Sequence, residues 1–338
     1  MGLGLVRAHR QRHVYLILRL HLLRQTLKIV ITGGAGYVGS YLIYKLLQDK
    51  NEVYSIDNVS QGDYSYLRDV AEPEHLVIGD IRDIKLLEQL FEDADAVVHL
   101  AAIPGLVRCD ESPEEAVAVN VFGTHQVLEA ARKQDVKTVI FSSSAASYGV
   151  PLRLPVKEDH SLIPMNLYGV TKLAGEKLMN VYYDSYDIDT ISLRFGNIYG
   201  VGLYSRDNTV IPKFVRMGLE GKALTIYGDG SSTRDYVHID DIVQSIMRSL
   251  SSTCKGGEVY NVGGHSITIR VLADRVVKAI FEITNMKIDC SYLPERPGET
   301  KHFEYDYTKI TSELGYEPKW NVDKGIRQLI EYFTHLKT

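Results

Sequence analysis

Cysteine is scarce in this chain. Only Cys109, Cys254 and Cys290 occur in 338 residues, and none stands in a Cys-x-x-Cys or Cys/His ligand spacing. Neither a disulfide framework nor a zinc site is therefore expected, and a reducing, cytoplasmic setting is the plain reading. An excess of positive charge is also missing: 38 basic against 43 acidic residues give a net of -5, which argues against nucleic acid as the main partner. No apolar run is long enough to span a bilayer; the stretch Val14 to Leu18 is short and Arg19 interrupts it. No internal repeat or low-complexity linker divides the chain. What remains is a composition, 45% hydrophobic, that buries more core than one small domain uses and suits an enzyme acting on a small molecule.

Residues 1–26 lack acid altogether and carry Arg7, Arg10, Arg12, Arg19 and Arg24. Without them the body holds 33 basic and 43 acidic residues, a net of -10. Two readings stand open: a targeting or membrane-surface segment, or an extension ahead of the first strand with no structural part to play.

From Lys28 onward, short apolar runs alternate with longer stretches of helical spacing. Strands are expected at 28–32, 52–56, 75–79, 96–100, 136–142 and 190–194, and helices at 41–47, 84–91 and 116–131. The alternation implies an α/β fold, a Rossmann-type doubly wound parallel sheet covered by helices on both faces. After residue 196 the rhythm loosens into strands near 224–227, 258–261 and 289–292 and helices near 239–250 and 269–283. The expected organisation is a basic extension (1–26), a dinucleotide-binding domain (27–196, with later segments returning to it) and a smaller C-terminal mixed α/β substrate lobe (197–338).

Thr32-Gly33-Gly34-Ala35-Gly36-Tyr37-Val38-Gly39 follows the first strand and opens a helix. Gly33 allows the tight turn, Gly36 lets a pyrophosphate approach the backbone, and Gly39 permits close packing of helix on strand. Asp57 closes the second strand, 18 residues after Gly39. A carboxylate there accepts from a ribose diol and repels a 2'-phosphate, so NAD is expected rather than NADP. Asp80, in Asp80-Ile81 at the end of the third strand, can reach an adenine by the same geometry.

A tyrosine with a lysine four residues later shares one helix face, and the ammonium is expected to favour the ionised phenol. The pattern occurs three times, at Tyr41/Lys45, Tyr168/Lys172 and Tyr305/Lys309. Tyr41/Lys45 reads as a surface pair and Tyr305/Lys309 falls in the terminal lobe. Only Tyr168/Lys172 follows a strand ending in Ser142, Ser143 and Ser144, where Ser144 can share a substrate hydroxyl with the tyrosine.

The ordered set TGGAGYVG, Asp57-Asn58, Gly79-Asp80-Ile81, His99-Leu100-Ala101-Ala102, Asn120-Val121-Phe122-Gly123-Thr124, SSSAASYG, YGVTK and RFGNIYG resembles the extended short-chain dehydrogenases/reductases, specifically the NAD-dependent epimerase/dehydratase group. The resemblance runs from about Lys28 to the C-terminus. It implies a cofactor site at Gly33, Gly36, Tyr37, Val38, Gly39, Asp57, Asn58, Asp80, Ile81, Leu100, Ala101, Ala102, Asn120, Ser142, Tyr168 and Lys172, and a catalytic set of Ser144, Tyr168 and Lys172. It also implies that Asn197, Arg234 and Arg296 hold a nucleotide diphosphate, the arginines offering planar forks to its oxygens. Phe303 falls near a position that gates the sugar pocket, and its bulk favours glucose and galactose over N-acetylated sugars.

Dehydrating and decarboxylating members carry an extra acid just after the active-site Ser/Thr; here those slots hold Ala145 and Ala146. The resemblance thus points to 4-epimerisation of a UDP-sugar, UDP-glucose and UDP-galactose being the expected pair. A dehydratase or decarboxylase of the same fold and a catalytically silent NAD-binding regulator remain the alternatives. RFGNIYG and Ser147 depart from the usual epimerase pattern and leave the exact sugar open. Family members pair through the two helices here near 114–133 and 166–186, which implies a homodimer.

Overall fold

The computed structural model describes residues 26–206, 209–252, 256–295 and 301–336; the arginine-rich stretch through residue 25 and Arg296 lie outside them. Twelve strands are present among these residues: β1 (Lys28–Thr32), β2 (Glu52–Asp57), β3 (Leu76–Ile78), β4 (Ala96–His99), β5 (Thr138–Ser144), β6 (Asp189–Phe195), β7 (Asn197–Tyr199), β8 (Leu224–Tyr227), β9 (Thr233–His238), β10 (Glu258–Val262), β11 (His265–Thr268) and β12 (Cys290–Leu293). Seven form one sheet in the order β10-β6-β5-β4-β1-β2-β3. Every pairing in it is parallel. The order reverses between β1 and β4, so a crevice opens at the carboxyl ends of those two strands.

Both faces of this sheet are covered, which is why β1 and β4 read as unbroken apolar runs. Ile29 and Ile31 pack with the helices Tyr37–Gln48 and Ile239–Ser251 on one face. Val30 packs on the other with the helices Ile84–Phe91 and Thr124–Lys133. Each such side chain, fully buried, contributes about 1.5–3 kcal/mol. Asp83 starts the Ile84–Phe91 helix by accepting from the Lys85 and Leu86 amides. Asn166 starts the long helix Leu167–Tyr186 by accepting from the Gly169 amide at 2.8 Å.

Two expectations shift. The single helix at 116–131 is instead Pro113–Val117, a wide π turn at Ala118–Gly123, and Thr124–Lys133. The Thr124 hydroxyl donates to the Asn120 carbonyl at 2.6 Å, and a Cβ on Gly123 would stand 2.5 Å from Ile81, so side-chain bonding and close packing set the local winding. β5 also begins two residues later than expected and runs through all three serines.

The second half builds a lobe from the three-stranded sheet β11-β9-β7 and the pair β12-β8. Helices Val210–Leu219, Ile269–Thr284 and Val322–His335 close it over a core that includes Phe214, Ile226, Leu272, Ile280, Leu329 and Phe333. Among the described residues no helix is long and apolar enough to cross a membrane.

Candidate active site

The bend between β1 and the helix Tyr37–Gln48 is built for backbone approach. Gly33 has φ 79°, and a Cβ on it would stand 2.6 Å from the Ala101 amide nitrogen; one on Gly39 would stand 2.2 Å from the Gly33 carbonyl oxygen. A Cβ on Gly36 would meet only that same oxygen, at 3.2 Å, so this glycine's open side faces the crevice. Gly36 also caps the helix without any side-chain acceptor, which leaves the first-turn amides for an anion. Asp57 is fixed beside the bend, its carboxylate accepting from the Ala35 amide (3.0 Å) and the Val59 amide (2.8 Å). Burial raises its pKa while those two bonds pull it down.

The bend lines a cleft of about 970 Å³ that also takes in Ser144, Tyr168 and Lys172. Its walls also include Asp57, Asn58, Asp80 and Ile81 on the β2–β3 side of the bend, Leu100, Ala101 and Ala102 after β4, and Tyr37, Val38, Ser142 and Asn197. β5 delivers the serines, and the helix capped by Asn166 delivers the other two side chains. The Tyr168 hydroxyl stands close enough to Ser144 for that hydroxyl to favour the ionised phenol. Lys172 Nζ donates to the Ser142 carbonyl at 2.7 Å and stands 5.9 Å from the centre of the Tyr168 ring. Burial pushes the Tyr168 phenol up to about 12, against the Ser144 hydroxyl and the Arg206 charge, and pushes Lys172 down to about 8. The expected acidification of the phenol by Lys172 is thus not the governing effect here. The ammonium turns toward a strand carbonyl, and the opposing cation is Arg206, on the segment after β7.

The other two Tyr/Lys pairs are elsewhere. Tyr41 is buried rather than on the surface, its hydroxyl donating to Asp240 at 2.5 Å with Lys45 Nζ 5.1 Å over its ring. Tyr305 is buried, and Lys309 pairs with Glu258 at 2.6 Å.

Four expected site residues are differently engaged. Asn120 lies outside the cleft wall, buried, with its carbonyl oxygen accepting from the Ile103 amide (2.7 Å) and its amide donating to the Ile103 carbonyl (3.1 Å) and Thr171 Oγ1 (3.0 Å). It fastens the loop after β4 to the Tyr168 helix. Asp80 is in the wall but its carboxylate is gripped by the Arg82 fork at 2.9 and 2.6 Å, which holds it below the usual carboxylate range. Arg234 is outside the wall and donates to the Thr233 carbonyl at 3.0 Å. Phe303 is also outside it, only 6% exposed and packed 4.9 Å from Tyr305 and 6.1 Å from Tyr148, ring centre to ring centre.

Sequence reasoning missed His99 as a structural part of the site. Thr124 gives its hydroxyl proton to Asn120 and so accepts from His99 Nε2 (2.9 Å), which leaves Nδ1 to accept from Thr32 Oγ1 (2.7 Å). Burial holds this imidazole neutral down to about 3. It ties β1 to β4 at the point where the strand order reverses. Its place in the His99-Leu100-Ala101-Ala102 motif was the only signal available.

The sequence model of the NAD dependent epimerase/dehydratase family matches residues 29–263. A putative UDP-glucose 4-epimerase of Methanocaldococcus jannaschii is 32% identical over 90% of this chain and 97% of its own length. The crystal structure of a UDP-glucose 4-epimerase from Thermotoga maritima, with UDP-glucose, has a TM-score of 0.85 at 30% identity, covering 92% of this chain and 100% of that one. A dTDP-glucose 4,6-dehydratase from Streptomyces venezuelae, solved with NAD bound, has a TM-score of 0.83 at 29% identity, covering 91% of this chain and 97% of that one. With its glycine bend, its switch-point cleft and these relatives, the chain belongs to the NAD-dependent epimerase/dehydratase family.

Proposed function

We propose that this enzyme is a nucleotide-sugar 4-epimerase that interconverts UDP-glucose and UDP-galactose through a 4-keto sugar. The observation that carries the reading is Tyr168, which lines the same cleft as the glycine bend together with Ser144 and Lys172, its phenol acted on by the Ser144 hydroxyl. The bend fits NAD: Gly36 presents open backbone to the cleft, and the uncapped first-turn amides suit a pyrophosphate. Asp57 suits the adenosine ribose diol, and Lys172 the ribose next to the nicotinamide. When bound there, NAD would supply a reversible hydride acceptor for the sugar's C4.

The chain's own residues manage the proton. Tyr168 takes it from the 4-hydroxyl, Ser144 aligns that oxygen, and the Ser144 hydroxyl and the Arg206 charge favour the charged phenol against burial. Asn197, on the cleft wall with its amide donating to the Asp235 carbonyl at 3.0 Å, would hold the diphosphate through its remaining N–H. Ala145 and Ala146 leave no second acid beside Ser144, so the proton shuttle that 4,6-dehydration needs is missing. The choice of glucose over an N-acetylated sugar draws no support from Phe303, which packs away from the cleft, nor from the solved structures, which include a UDP-N-acetylglucosamine 4-epimerase as well as a UDP-glucose 4-epimerase; it rests on the sequence relatives named UDP-glucose 4-epimerase. A homodimer through the paired helices is supported by Val117, Phe122, Val170 and Val181, all exposed on the two segments concerned.

Purified protein given UDP-galactose and NAD should form UDP-glucose with no lasting absorbance of reduced cofactor. A 4-keto-6-deoxy product would replace this reading with a dehydratase, and no turnover on any sugar nucleotide would leave a silent binder.

A further inference from the structure

Behind Ser144 and Tyr168, outside the cleft, runs a buried polar chain that the proton transfer does not use. Glu176 and Arg194 are 1% and 2% exposed and meet fork to fork, Arg194 Nε donating to Glu176 Oε1 at 2.8 Å and Nη2 to Oε2 at 2.7 Å. Ser143 Oγ donates to the same Oε1 at 2.5 Å. Arg194 Nη1 donates to Tyr148 Oη at 2.6 Å, and that hydroxyl donates to Asn261 Oδ1 at 2.6 Å. The Asn261 amide ends the chain on the carbonyls of Val156 (2.9 Å) and Asp306 (3.0 Å).

Stability is a poor explanation for such an arrangement, because apolar side chains of similar volume replace buried ion pairs at little or no loss. Its members instead flank the catalytic set. Ser143 precedes Ser144, Tyr148 closes the short turn Ala145–Ser147 that begins at Ser144, and Glu176 lies one helical turn beyond Lys172. We infer that Glu176, Arg194, Tyr148 and Asn261 form a positioning relay that fixes Ser144 and Lys172 relative to the Tyr168 phenol. This rests on the catalytic roles proposed above.

The groups facing Lys172 give the relay a signature. Cys109, on the helix Leu106–Glu111, and Glu176 favour its ammonium, while burial opposes it; His99 on β4 is neutral, and the Phe141 ring of β5 lies 4.9 Å away. Neutralising Glu176 removes a negative charge and leaves the Arg194 charge uncompensated, and both changes lower the Lys172 pKa further. Repacking alone would not move it in a fixed direction.

Two variants of the full-length, NAD-loaded protein test this. In Glu176→Gln, the Nζ resonance of Lys172, followed by NMR on 15N-lysine-labelled protein and assigned with Lys172→Met, should titrate at lower pH than in the wild type. In Tyr148→Phe, which changes no charge, kcat on UDP-galactose should fall at least tenfold with KM and NAD retention within twofold. An unchanged Lys172 titration in folded Glu176→Gln overturns the relay, as does wild-type kcat in Tyr148→Phe. Should the wild type itself leave UDP-galactose unconverted, the epimerase reading fails, while the Lys172 titration still decides the relay.

Discussion

Raising the pH through the neutral range perturbs the buried phenol of Tyr168 without changing the sequence. A phenol titrating near 12 is ionised about once in 10⁵ molecules at pH 7, a deficit of roughly 7 kcal/mol at about 1.4 kcal/mol per pH unit. If that ionised phenol is the base, kcat/KM, which reports the free enzyme, should climb about tenfold per pH unit from pH 6 toward 8. Lys172 then loses its proton near 8, and with it the charged grip on the Ser142 carbonyl and on the ribose it is proposed to hold. Because the ammonium is the form proposed to hold the ribose, each further gain in phenolate is offset by a matching loss of ammonium, and the profile should level off above 8. Initial rates of UDP-galactose conversion from pH 5.5 to 9.5 give the curve directly. Tyr168→Phe should reduce kcat by about 10²–10⁴ and lose the slope while keeping bound NAD. A wild-type profile flat between pH 6 and 8, or a phenylalanine variant with more than a tenth of wild-type kcat, would refute the reasoning.

Two glycines of the bend should behave differently. Gly33→Ala, with φ 79° and backbone 2.6 Å from the new Cβ, should lose more than about 2 kcal/mol in urea unfolding. Gly36→Ala, meeting only one carbonyl at 3.2 Å, should keep its stability within about 1 kcal/mol yet bind NAD at least tenfold more weakly by calorimetry; equal NAD affinity would contradict the open-backbone role. His99 titrates near 3 folded and near 6.5 unfolded, so the unfolded state binds its proton first and stability falls as the pH drops below 6.5. Relative to His99→Gln, the wild type should lose about 2 kcal/mol between pH 6.5 and 5, and a constant difference between the two would count against a neutral buried imidazole. Phe122→Asp should sediment as a monomer at concentrations where the wild type is dimeric, and an unchanged dimer would place the subunit contact elsewhere.

Local chemistry made much of the site readable. A glycine bend needs particular residues at fixed short offsets, and so does a tyrosine with a lysine one turn later; Gly33, Gly36, Gly39, Tyr168 and Lys172 stand together on the cleft for that reason. The sheet was readable because β1 and β4 are buried on both faces and carry no alternation. Contacts across long sequence separations were not readable. Tyr148 meets Asn261 across 113 residues and Glu176 meets Arg194 on a different element, and no periodicity encodes either pairing. Arg206 comes from an irregular segment whose path depends on the lobe. Phe303 shows the limit of carrying a role over by position, since aromatic neighbours draw its ring into a small core of their own. Asn120 shows another, because its amide is saturated by Ile103 and Thr171.

The main sheet does not finish with the first half of the chain. Its outermost strand on the β6 side, β10, arrives from residues 258–262, after the polypeptide has already laid down β7, β8 and β9 elsewhere. An expression fragment stopped near residue 196 would leave β6 with a naked row of amides and carbonyls, an invitation to intermolecular stacking. The second half is therefore interleaved with the first, lending β10 to the sheet before returning to the lobe, and the two halves should melt as a single cooperative unit.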